Sequence, residues 1–216
     1  PVKEALFGVR SNLTLTAQVG RPVQMHFEGN GVGSFGSATG PYDGSFVTGI
    51  TFPSALPPIF RGANIVLGRD GDLVNPTIAP CIRQFTFQTN NTLALRECAN
   101  AASGALGYEI TARAPGGTFD PDLFPEGQFG LMGMFLNNYS GRISFQVGGT
   151  ASTDAYNRFW VQVPIASISA IADGDANGRA TRGLSYLCTT GSAGYTLTAS
   201  DKDIVIIQDT VPDQLG

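Results

Sequence analysis

Apolar and polar residues alternate in short runs along most of this chain, the period expected of strands with one buried face. Leu13 and Leu15 alternate with Thr14 and Thr16 up to Gly20, and Val23, Met25 and Phe27 alternate with Gln24, His26 and Glu28. Phe85 and Phe87 form a third run, and Leu93 and Leu95 a fourth, with Asn90-Asn91 between them. Asn tolerates positive φ, so these two runs are predicted to fold back on each other as a hairpin. A polar loop from Ala99 to Gly107 leads into a strand at Tyr108–Thr111. Further strands are predicted at Phe60–Leu67, at Ile143, Phe145 and Val147, and at Phe159, Val161 and Val163. The last of these runs on through Ile165, because Pro164 is tolerated at an edge or a bulge. Leu184, Tyr186 and Cys188 mark another strand and Ile204–Gln208 the final one, with Tyr195–Thr198 as a short addition.

The breaks in the alternation are as informative. Val2–Arg10 is indecisive. Residues 29–49 are rich in Gly, Ser and aromatics without a period and read as one long loop, either functional or a surface excursion. Pro53, Pro57 and Pro58 prevent regular pairing between Phe52 and Ile59. Gly116–Asp122 reads as an extended connection whose acids, Asp120 and Asp122, suit the start of a helix. That helix is expected at 129–138, with Phe129, Met132, Met134 and Phe135 on one apolar face, although Gly130 and Gly133 weaken it. About ten strands and one short helix sum to a mainly β fold, a single sandwich or barrel domain over residues 1–216.

Composition narrows the class. A hydrophobic fraction of 42% with 14% charged residues supports a packed core, and the 28 glycines and 13 prolines favour turns over helices. The net charge of −4 argues against wrapping nucleic acid, which demands clustered Lys and Arg. Cys81, Cys98 and Cys188 are an odd number at spacings that match no zinc or redox motif, and they read as buried or half-buried thiols. A Cys81–Cys98 bridge across the expected hairpin is the alternative. No apolar run is long enough for a membrane span. The stretch beginning at Pro1 shows no signal-peptide pattern, and a chain starting at proline leaves open what preceded it.

Candidate chemistry is sparse. Asp173, Asp175, Asn177 and Gly178 match the opening half of an EF-hand loop, but Leu184 stands where the bidentate Glu belongs, and strands rather than helices flank it. An acidic-Gly turn joining two strands is the plainer reading. His26, the only histidine, lies on a polar strand face with no G-x-S-x-G elbow to supply a nucleophile. Asp120 and Asp122 as paired glycosidase carboxylates are less economical than capping. The Gly spacing of residues 29–36 lacks a Lys and a strand-loop-helix setting, so it makes a weak phosphate cradle. No catalytic, cofactor or metal residues are therefore expected. Arg96 and Glu97, with Arg83 and Arg113, could form ion pairs between subunits or only exposed surface pairs. Trp160, facing away from Phe159 and Val161, is a candidate contact or a cap on the helix.

The order of these segments resembles the tail tube (major tail) proteins of long-tailed bacteriophages. The resemblance rests on Arg96-Glu97, Gly107-Tyr108, Arg113-Ala114-Pro115 and Asp120-Pro121-Asp122. It extends upstream to Val19–Gly29 and downstream to Gly178–Leu187, resting on pattern and turn order more than on a rigid signature. It implies a non-enzymatic virion protein, assembled in the bacterial cytoplasm into stacked, hexameric rings whose lumen conducts DNA without sequence-specific binding. It implies partners of the same kind, other copies of the chain and the terminator, tape measure and baseplate proteins, with no cofactor and no membrane. Residues 29–49 would then be the loop that packs on the next ring. A terminator, baseplate hub or contractile inner-tube protein shares this architecture. The alternatives outside it are an extracellular adhesive or binding β-sandwich, and an enzyme on such a scaffold.

Overall fold

The computed structural model describes residues 6–33, 58–69, 77–101, 104–123, 125, 129–148, 158–176, 178–189 and 204–209. The described residues are mainly β, with one short helix bounded within them. Its strands are β1 (Leu6–Gln18), β2 (Gln24–Gly33), β3 (Asn64–Arg69), β4 (Thr77–Ile78), β5 (Ile82–Gln88) and β6 (Asn91–Glu97). They continue as β7 (Ala105–Arg113), β8 (Gly116–Pro121), β9 (Ser140–Gly148), β10 (Arg158–Ala176), β11 (Arg179–Cys188) and β12 (Val205–Asp209), with helix α1 at Leu131–Leu136. The chain divides into two compact units. The first comprises Pro1–Thr14, His26–Leu56 and Thr89–Ala114, and the second Leu15–Met25, Pro57–Gln88 and Pro115–Gly216.

The second unit is an antiparallel sheet in the order β5-β8-β11-β10-β9-β3-β4, with β12 also paired to β10. Strands β5 and β9 are four places apart in this order, which in a flat sheet would separate them by about 19 Å. Yet the rings of Phe85 on β5 and Phe145 on β9 meet edge to face with centroids 5.1 Å apart. The sheet therefore curls into a half-barrel around its aromatic face. Phe60 packs edge-on against Phe145 at 5.3 Å, and Tyr186 stacks on Phe85 at 5.9 Å. Leu15, Phe87, Val147, Val161, Val163 and Leu184 complete a fully buried interior. These are the apolar members of the alternating runs, so strand periodicity located this core correctly.

Close backbone approach shapes the middle of the sheet. A Cβ at Gly117 would overlap the Thr86 carbonyl oxygen and crowd the Tyr186 hydroxyl. That hydroxyl crosses β8 to donate to the Thr86 carbonyl at 2.8 Å. Burial first, and then the charge Cys188 acquires on ionising, push the Tyr186 pKa well above the ordinary 10.0. The folded chain thus holds this proton where the unfolded chain releases it. The stability Tyr186 contributes is complete below pH 10.0 and is lost as pH rises beyond it, towards the folded value. We expect unfolding free energy to fall above about pH 10 by up to ~1.4 kcal/mol per pH unit from this residue. Urea titrations of Tyr186→Phe across that range should show a shallower decline, with a cost at neutral pH of about 1 kcal/mol for the lost hydrogen bond.

Several expectations are corrected. The runs at Phe85/Phe87 and Leu93/Leu95 do not form a hairpin. Strand β5 pairs β8 (Phe85↔Phe119, Phe87↔Gly117), whereas β6 pairs β7 (Leu93↔Ile110, Leu95↔Tyr108). Asn90 does adopt positive φ, 46°. The neighbouring Asn12 redirects the chain, its Oδ1 accepting from the Asn91 N–H at 2.6 Å and its Nδ2 donating to the Asn91 carbonyl at 3.1 Å. Burial supplies the other reason, since Phe85 and Phe87 need Phe119 and Tyr186 as neighbours while β6 is largely exposed.

Gly116–Pro121 is not a connection but an interior strand, between β5 and β11. The helix occupies 131–136 of the expected 129–138, and it follows a left-handed Gly130 (φ 71°) with no side-chain cap. The Asp120 carboxylate is engaged at β5 instead, by the Arg83 and Gln84 N–H groups. Phe129, Leu131 and Met134 are buried, whereas Phe135 is 37% exposed and Met132 only half-buried. Phe60 is buried in a bend ahead of β3, which begins only at Asn64. Within the expected long loop, residues 29–33 are the end of β2, and 34–49 lie outside the described residues, as does Tyr195–Thr198. Pro164 sits where the β9–β10 register shifts between Val163 and Ala166, the bulge its missing N–H required.

Candidate functional site

Among the described residues, a strand at the end of the sheet order and exposed apolar side chains are the features that invite a partner. Strand β2 ends the sheet order, and among the described residues no strand lies beyond it. All of its residues from Gln24 to Asn30 are exposed, including Met25 and Phe27, the latter at 63%. The alternation that made this segment a strand therefore buries neither face. A ten-residue strand at the end of the sheet order is a template for further pairing.

Strands β6 and β7 form a separate two-stranded sheet. Its register brings Leu93 opposite Ile110 and Leu95 opposite Tyr108, so that four apolar side chains share one face. Leu95, Leu106 and Ile110 nevertheless remain exposed, Leu106 at 55%. A two-stranded ribbon is marginal in water unless other surfaces cover it. On the first unit, Asn91 anchors the ribbon's start through its Nδ2, which donates to the Ser11 carbonyl at 3.0 Å, and Asn90 Nδ2 donates to the Ala114 carbonyl at 3.1 Å.

Two of the charged candidates, Arg83 and Arg96, pair within their own units. Arg96 meets Glu109, not Glu97, at 4.0 Å with both side chains more than half exposed, a pair worth little. Arg83 pairs with Asp120 at 3.2 Å. Asp120 also accepts from the N–H groups of Arg83 (3.1 Å) and Gln84 (2.6 Å), where the β5–β8 register shifts between Ile82 and Phe85. Its carboxylate thus satisfies two donors that the bulge removes from the ladder. Nothing in the local pattern of residues 116–122 signals this, because the bulge lies on another strand. Asp120→Ala should cost about 1–2 kcal/mol in urea unfolding, the range for lost acceptors at a partly solvated site. Asp120→Asn, which keeps an acceptor oxygen, should recover most of that loss. Asp122 joins an isolated bridge to Thr181.

The acidic-Gly segment is a hairpin turn. Register runs to Ala176↔Arg179, Gly178 takes φ 79°, and its N–H donates to Asp175 Oδ1 at 3.0 Å. Asp173 pairs with Arg182 at 3.2 Å, and Leu184 is in the core. Asn177 lies outside the described residues. Among the described residues no group of three His, Cys, Asp or Glu side chains is placed to hold a metal. His26 is exposed on β2, and Gly29, Gly31 and Gly33 are strand residues of β2 rather than a phosphate loop. Trp160 is half-buried, opposite Gln146 and Ile207, and its face-mate Gln162 is buried. The cysteines form no disulfide. Cys98 and Cys188 are half-buried as expected, but Cys81 is exposed, because it lies in the link ahead of β5 rather than within a strand.

Searches against protein-family models and against curated proteins find no match to this chain. Among the described residues no helix is long and apolar enough to cross a membrane.

Proposed function

We propose that this protein is a self-assembling structural subunit and, on its sequence resemblance, a tail tube protein of a long-tailed bacteriophage. The observation that carries the assembly reading is the exposed terminal strand β2, together with the exposed apolar side chains of the ribbon β6–β7. Such edges, left bare, drive aggregation, whereas pairing them between copies around a closing rotation gives a ring. The net charge of −4 suits a wall past which DNA slides without being held. In this reading the protein is not an enzyme. It works in the virion tail, and its partners are further copies of itself together with the terminator, tape measure and baseplate proteins.

Electron microscopy of the purified protein over a concentration series, alongside light scattering, tests the proposal. Rings or stacked tubes with an open lumen are expected, and they also give the ring number. A particle that stays monomeric at every concentration would overturn self-assembly and favour an adhesive or binding module.

A further inference from the structure

We draw no further inference here: the strongest candidate, the open apolar pocket of about 230 Å³ between Val19, Phe60, Ile65, Pro80 and Ile82 with the exposed Cys81 on its wall, carries nothing because no feature of the structure shows what covers it.

Discussion

Phe85→Ala is expected to remove about 3–5 kcal/mol of unfolding free energy, a large part of what a domain of this kind possesses. Phe85 is 1% exposed and touches the rings of both Phe145 and Tyr186. Its side chain joins strands that are distant in the sheet order, so truncation opens a cavity where the two arms of the curl meet. The neighbouring rings are themselves tied to opposite arms, which limits how far they can collapse into the space. Urea denaturation followed by circular dichroism measures the loss. Leu136→Ala is the control, since Leu136 is 72% exposed and a surface change of this type should stay within about 0.5 kcal/mol. Equal midpoints for the two variants would contradict a core closed by the curling of the sheet.

If copies meet through β2 as proposed, Phe27→Lys raises the concentration needed for assembly by about 10–100-fold, the equivalent of losing about 1.5–3 kcal/mol of aromatic burial per contact. Phe27 is 63% exposed in the isolated chain, so the substitution takes little from the fold. A lysine on an edge strand also opposes pairing directly, because its charge must be desolvated against the incoming strand. Thermal unfolding of the dilute variant should match the parent, while sedimentation velocity across a dilution series reports the shifted threshold. If the threshold stays where it was, β2 is not the surface through which copies meet. The variant therefore separates the role of this edge from the question of whether the protein assembles at all.

Local rules were sufficient wherever the determining interactions are local. Alternation located most of the strands, and turn chemistry pointed to positive φ at Asn90 and to a glycine turn at Gly178. The absent N–H of Pro164 marked a bulge in β10. Each depends on a residue's own backbone freedom or on which face it turns inward, and both can be read from neighbours a few positions away.

Pairing could not be read that way, because any alternating run is a possible partner for any other. Leu93 and Leu95 follow Phe87 closely enough for a hairpin, and only the tertiary structure gave β5 to β8 and β6 to β7. Asn12, 79 positions from Asn91, supplied the hydrogen bonds that settled the direction of the chain. Asp120 resembled a helix-capping acid because both roles use the same carboxylate, and the bulge that engages it lies 36 and 37 positions upstream. The amino-acid sequence by itself determined a mainly β protein, where most strands lie and which of their faces are apolar. The tertiary structure decided the order of the strands, the curl that brings Phe85 to Phe145, and which apolar faces stay bare, since burial is a property of the assembled sheet and not of the strand.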